Sequence, residues 1–370
     1  MPGITIERNQ KLMAENHPIS VCIITRDESN LLKQCLERLT PHAQHGGHEI
    51  LVVDTGSTDD TIKMCTAYTD SVYEFPWIND FSAARNFAAK HAANDWILCL
   101  DSDEFITSWN EQNLQSQIAK HPKAIGGFSL LCTCGFGANQ YDSNAKVYRL
   151  YNRRHFHFER PIHEQLEPFN RELGHPCFML DIKADHFSYS GNPEELMAKS
   201  ERNIKLLKEE LKKNPHDPYL LFQLGQSYYM IEDFETALYY YDLGLAEDVD
   251  PRLDYVNTMV VSYGYTLLNL KQYKKALDLE GIYDTFGNRA DFVFLMGMIY
   301  LNNGFFEDAV TQFNKATTFE SAEVIGANSF RAWHNLGVIY ECSGYRDKAV
   351  QYYKKCGNFE PALARLKVLL

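Results

Sequence analysis

The segment WILCLDSDEF, residues 96–105, runs an apolar stretch straight into Asp101, Ser102, Asp103 and Glu104. On an extended strand, side chains two positions from one another share a face and neighbours oppose, so all three carboxylates act together only where the chain turns. A turn here suits one carboxylate that meets a cation and another that meets a hydroxyl. Hard ions such as Mg²⁺ or Mn²⁺ take oxygen ligands and fill their remaining positions with water and substrate phosphates. An Asp-x-Asp pair alone is common in surface turns, so its surroundings decide.

Those surroundings alternate. SVCIIT (20–25) precedes the amphipathic SNLLKQCLERL (29–39), and EILVVDTGS (49–57) precedes TDDTIKMCTAY (58–68). Strand, helix, strand, helix implies an α/β, Rossmann-like, mostly parallel sheet covered by helices, with its crevice at the carboxyl ends of the strands. Gly56 permits a tight turn, and Ser57, Thr58 or Asp59 caps the following helix. WILCL is a third such strand, so its carboxylates open into the same crevice as Asp27 and Asp54.

From about residue 195 strand signals give way to helical periodicity. Residues 224–245, 296–317 and 336–357 superimpose without gaps. Gly225, Gly297 and Gly337 align, as do Tyr228, Tyr300 and Tyr340, then Ala237, Ala309 and Ala349, then Tyr241, Phe313 and Tyr353. Small residues let two helices approach while the aromatics fill the gap. With Trp333 and Pro361 in the last copy, this resembles the tetratricopeptide repeat, an all-α array that binds peptides or dimerises. A weaker copy keeps Gly264 and Ala276 but has Leu267 in place of the tyrosine. The expected domains are 1–192 and 193–370.

A chain of 370 residues is long enough for two cores. With 45% hydrophobic and 23% charged residues it has the composition of a soluble protein, and no window nears the ~18 apolar residues of a membrane helix. MPGITIERNQKLMAEN lacks a signal peptide's apolar core, which implies a cytoplasmic location. A net charge of −13 opposes general nucleic-acid binding. Nine cysteines without a CxxC suggest neither a zinc site nor a disulfide framework. The basic run Lys146, Arg149, Arg153, Arg154 and Arg160 is either a solvated face or a grip on a phosphorylated ligand. No GxGxxG, P-loop or GxSxG motif anchors a dinucleotide, NTPase or serine-hydrolase reading.

ISVCIITRDE, EILVVDTGSTDDT, NDFSAARNFA and WILCLDSDEF, in that order over the first ~105 residues, resemble the catalytic domain of the family 2 inverting glycosyltransferases, which have the GT-A fold. The resemblance continues to about residue 190. Joined to C-terminal repeats, it is similar to the bacterial branch that includes the sublancin-type peptide S-glycosyltransferases. It implies a nucleotide-sugar donor, foremost UDP-linked, and Mg²⁺ or Mn²⁺.

The resemblance also implies roles. Thr25, Arg26 and Glu28 form the nucleotide-facing turn, although Asp27 stands where that branch more often has Asn. Asp54 contacts the base or ribose. In the turn Asp101, Ser102, Asp103, the first aspartate approaches the ribose or a metal-bound water and Asp103 ligates the metal. Asn79 to Asn86, including Asp80, Ser82 and Arg85, fits the donor-side helix, whose spacing puts Ser82 and Arg85 on nearly one face. Asn86 is as well suited to a helix-stabilising contact.

Inverting transfer needs a carboxylate to take the acceptor's proton. PIHEQL (161–166) is similar to the family's place for that base, which makes Glu164 the candidate, with Asp103 or Glu104 as fallbacks. An ion pair with Arg153 or Arg160 is the plain alternative. His163 orients Glu164, contacts the acceptor or binds metal. In DIKADHFSYSG (181–191), His186 resembles the histidine that completes many GT-A metal sites, or else is structural.

The expected protein is a metal-dependent transferase acting on a peptide or protein side chain. Its rivals are transfer to a cell-envelope glycan or lipid, with repeats that only oligomerise, and a non-catalytic repeat adaptor.

Overall fold

The computed structural model describes residues 16–134, 141–186 and 193–370. They divide into two compact units, the first within Met1–Cys134 and Ala145–Gly191, the second within Gly135–Asn144 and Asn192–Leu370. The N-terminal stretch that bears on a signal peptide, and Phe187, Tyr189 and Gly191 after His186, lie outside the described residues. No described helix is long and apolar enough to cross a membrane.

The strands are β1 (Ile19–Thr25), β2 (Glu49–Asp54), β3 (Val72–Glu74), β4 (Trp96–Asp101), β5 (Glu104–Trp109), β6 (Ile125–Cys134), β7 (Tyr141–Asn152), β8 (Phe156–Glu159), β9 (Gln165–Pro168) and β10 (Cys177–His186). Eight of them form one sheet in the order β3-β2-β1-β4-β7-β6-β10-β5, and β8 pairs with β9. β1 is parallel to both β2 and β4, whereas β7 runs antiparallel to β4 and β5 antiparallel to β10. β1, β2 and β4 are buried almost throughout, as strands covered on both faces must be.

Alternate residues of these strands feed two cores. Val21, Ile23, Leu98 and Leu100 pack with Leu32, Leu36 and Leu39 of the helix Ser29–Gly46. Cys22, Leu51, Val53 and Cys99 pack with Ala88 and Ala89 of the helix Phe81–His91. The helix expected over 58–68 is reduced to Thr61–Cys65, with Asp60 at its N-cap position and Asp59, one of the three expected caps, bonded to its first N–H. Asp59 Oδ1 accepts from the Thr61 N–H, while the Ser57 hydroxyl accepts from the Asp27 N–H. Most described cysteines are buried, but Cys177 and Cys342 are exposed.

In the second unit the aligned repeats become helical hairpins, among them Pro218–Met230 with Phe234–Ala246 and Phe330–Cys342 with Arg346–Lys355. The aligned residues meet: a Cβ on Gly225 would lie 2.4 Å from the Tyr241 ring, on Gly297 2.7 Å from Phe313, and on Gly337 2.5 Å from Tyr353. Ala237, Ala309 and Ala349 are fully buried beside them. In the weaker copy the second helix is broken into Tyr273–Ala276, a 3₁₀ stretch Leu277–Ile282 and Tyr283–Phe286. Within this unit the strand segment around Ser143 bridges Val324, with the Asn144 N–H donating to Glu323 O and the Ile325 N–H to Asp142 O.

Candidate active site

Strand register brings the acidic residues together. Thr25 pairs with Asp54 and Ile24 with Asp101, so β1, β2 and β4 end level with one another. At the end of β2 Asp54 is buried and its Oδ2 accepts from the N–H groups of Gly56 and Ser57, 2.9 Å each. Its Oδ1 and the Thr25 hydroxyl are both enclosed and have no hydrogen-bond partner. Two orphaned buried oxygens side by side cost stability unless a ligand satisfies them.

The loops after β1 and β2 are clasped to each other. Asp27, at φ 50°, takes the Thr58 N–H at 2.6 Å, and this bond holds its carboxyl below the ordinary range. Asp27 is thus a structural clasp where the branch more often has Asn. Arg26 is exposed and lies 3.6 Å from Asp27. Glu28 receives a hydrogen bond from the Ser102 hydroxyl, which ties the first loop to the Asp101–Asp103 turn.

The helix Phe81–His91 starts at Asp80, whose Oδ1 accepts from the Ala83 N–H and the Ser82 hydroxyl. Asp80 is therefore the N-terminal cap, and the Ser82 hydroxyl donates to it. The Phe81 N–H donates to Pro161 O, and Asn86 exchanges two hydrogen bonds with the Phe158 backbone, so Asn86 does make a stabilising contact. Both link this helix to the segment that carries His163 and Glu164.

Arg85 is 4% exposed. Its Nε bonds Glu164 Oε1, its Nη2 bonds Asp101 Oδ1 at 2.7 Å, and its Nη1 is enclosed without a partner. Glu164 thus pairs with Arg85, not with Arg153 or Arg160. The other oxygen of Asp101 meets Arg149 Nη1 at 2.9 Å, which also reaches both oxygens of Glu104 at 2.9 and 3.0 Å. Burial raises the Asp101 pKa, but the charges of Arg149 and Arg85 outweigh it and hold the carboxyl well below the usual range. Burial pushes Glu104 up despite Arg149, which it shares with Asp101.

The basic run does not form one surface. Arg149 is engaged in this network, and Arg153 donates to Ala89 O and Ala92 O at 2.7 Å each and to Asp95. Arg154 is left exposed beside Asp95. Sequence reasoning gave Arg149 no part in the acidic turn. The available signal was its place on β7, two positions before the buried Tyr151 and hence on the same face.

His186 Nε2 lies 3.3 Å from Asp103 Oδ1, and its Nδ1 lies 3.8 Å from Cys132 Sγ. Burial disfavours its charge, but the bonds to Asp103 and Cys132 and the charges of Asp103 and Glu104 push its pKa up to about 10. Among the described residues no group of three or more His, Cys, Asp or Glu side chains could by itself hold a metal ion. An imidazole nitrogen and a carboxylate oxygen at this separation do fit two positions of a Mg²⁺ or Mn²⁺ shell whose remainder is water and phosphate. His163, at φ 51°, interrupts the extended alternation before Glu164. Its ring Nε2 is enclosed without a partner, and burial lowers its pKa to about 4.

A mostly parallel sheet with an acidic turn at its carboxyl edge, flanked by a buried arginine and an imidazole, has the architecture of a GT-A transferase domain. Residues 20–177 match the family described as Glycosyl transferase family 2, and residues 332–359 match Tetratricopeptide repeat. The match to the glycosyltransferase family thus falls mainly on the first unit, and the match to the repeat falls on the second. It is 30% identical over 232 residues to the SPbeta prophage-derived glycosyltransferase SunS of Bacillus subtilis (strain 168), covering 60% of this chain and 52% of that one. It is 32% identical over 241 residues to a TPR repeat-containing protein of Synechococcus elongatus, covering 62% and 57%. The matches thus span little more than half the length of these relatives. Among solved structures, the TPR protein YrrB aligns at 22% identity and a TM-score of 0.39, over 46% of this chain and 84% of that one.

Proposed function

We propose that this protein is a metal-dependent inverting glycosyltransferase that moves a sugar from a nucleotide donor, foremost UDP-linked, to a peptide or protein side chain. The observation that carries the reading is the level ending of β1, β2 and β4, which gathers Thr25, Asp54 and Asp101 at one edge. The unsatisfied oxygens of Thr25 and Asp54 suit a nucleoside, whose donors and hydroxyls can complete their hydrogen bonds. Asp103 and His186 would hold Mg²⁺ or Mn²⁺, which when bound neutralises charge on the departing diphosphate.

Inversion is a single displacement. The acceptor atom bonds the anomeric carbon as the bond to the diphosphate breaks, and the acceptor's proton passes to Glu164. Because Glu164 Oε1 is engaged by Arg85, its Oε2 is the proton acceptor. Glu104 is poorly suited to this role, since Arg149 spans both of its oxygens.

A polypeptide acceptor is favoured by the repeats, whose stacked hairpins suit long chains better than small sugars; a second copy of the chain is the alternative occupant. The inward engagement of Arg149 and Arg153 shrinks the basic run that a membrane-bound acceptor would favour and leaves Arg154 exposed. The acceptor is tested by incubating the purified protein with UDP-sugars and cell extract, then locating hexose adducts by mass spectrometry. Adducts on polypeptide that disappear with Glu164→Gln support the reading, and adducts confined to glycolipid contradict it.

A further inference from the structure

Resting on that reading, we infer that Arg85 is a positioning residue: its buried guanidinium braces Glu164 against Asp101 and so fixes the proton acceptor relative to the donor side of the site. Nε and Nη2 lie on one rigid plane, so a guanidinium that bonds Glu164 through one and Asp101 through the other sets the separation of the two carboxylates. A lysine, with a single point of charge, cannot reproduce that fork.

The surroundings immobilise the brace. The Phe158 ring packs on the guanidinium, its centroid 5.5 Å from Cζ. The helix that carries Arg85 is tied to the Glu164 segment through Phe81 and Pro161 and through Asn86 and Phe158. On the far side Asp101 is held by Arg149, itself spanning Glu104. Glu164, Arg85, Asp101, Arg149 and Glu104 thus alternate in charge from one half of the site to the other. A residue whose main task was to grip donor phosphate would keep more than one arm for it, and only Nη1 of Arg85 lacks a partner.

The test separates turnover from donor binding. In Arg85→Lys, kcat for transfer should fall about 100-fold, as a misplacement of about 1 Å does, while KM for the UDP-sugar stays within about threefold. Added guanidinium should restore part of the activity of Arg85→Ala. Glu164→Asp, which shortens the braced side chain and leaves Arg85 in place, should lose kcat in the same way and keeps the test open if the arginine variants fold poorly. Arg85→Lys should cost almost nothing further in a Glu164→Gln background. A loss confined to donor KM, or full additivity with Glu164→Gln, would overturn the inference and leave Arg85 as a phosphate contact. If Glu164→Gln turns over like the wild type, the base assignment falls, and this inference with it.

Discussion

His186 Nε2 and Asp103 Oδ1 lie 3.3 Å apart, although 83 positions of sequence separate them. The pairing follows from the sheet: β10 brings His186 opposite Glu104 of β5, next to the turn that holds Asp103. If the pair supplies the protein's share of a Mn²⁺ shell, removing either member should weaken the ion. We expect Asp103→Asn and His186→Ala each to lower Mn²⁺ affinity at least about tenfold in the presence of UDP, by titration of the free-ion electron paramagnetic resonance signal. Unchanged titrations would place the ion elsewhere.

Thr25→Val should move stability and ligand binding in opposite directions. The hydroxyl is buried without a partner, so replacing it by a methyl group removes an unsatisfied polar atom and should raise unfolding free energy by about 1 kcal/mol. The same change removes a contact for the nucleotide and should weaken UDP binding severalfold. Calorimetric titration with denaturant unfolding of the same variant checks both signs.

Gly225→Ala, Gly297→Ala and Gly337→Ala should destabilise the repeat unit even though alanine favours helix by about 1 kcal/mol. Each new methyl group would meet a ring that is itself fully buried, at 2.4 to 2.7 Å. Overpacking of this kind costs about 1–3 kcal/mol and should exceed the propensity gain. A melting temperature that rises in all three would show that the rings can yield.

His163 makes the first unit acid-sensitive. Its folded pKa, about 4, lies below its ordinary value of about 6.5, so between those values the unfolded chain holds a proton that the folded chain does not. Its contribution to stability is therefore complete above about pH 6.5 and is lost as the pH falls toward 4, by an amount on the order of 3 kcal/mol. His163→Asn, which tolerates the positive φ, should flatten that slope in urea unfolding measured from pH 7 to pH 4.5.

Much of this was legible in sequence because it is local or periodic. Continuous apolar runs ending in Asp54 and Asp101 give buried parallel strands, and glycine and aromatic residues at matched offsets give the repeats. The second helix of the weak copy escaped because residues 273–286 carry no clear break beyond Gly281, and tertiary packing decides their form. The partners of Glu164 and Asp101 escaped for another reason. Arg85 lies on a helix and Arg149 on a strand that joins the sheet between β4 and β6, and nothing in their neighbours' sequence encodes that meeting. Within the Asn79–Asn86 segment, the hydrogen bonds of Asp80 with the Ser82 hydroxyl and the Ala83 N–H fix where the helix starts.

The most direct measurement is the initial rate of UDP release from UDP-sugars, with Mn²⁺ and with chelator, for the wild type and Asp103→Asn. We expect metal-dependent release by the wild type and a loss of at least about 100-fold in the variant. Equal, metal-independent release by both proteins would contradict a donor diphosphate held at the Asp103 turn.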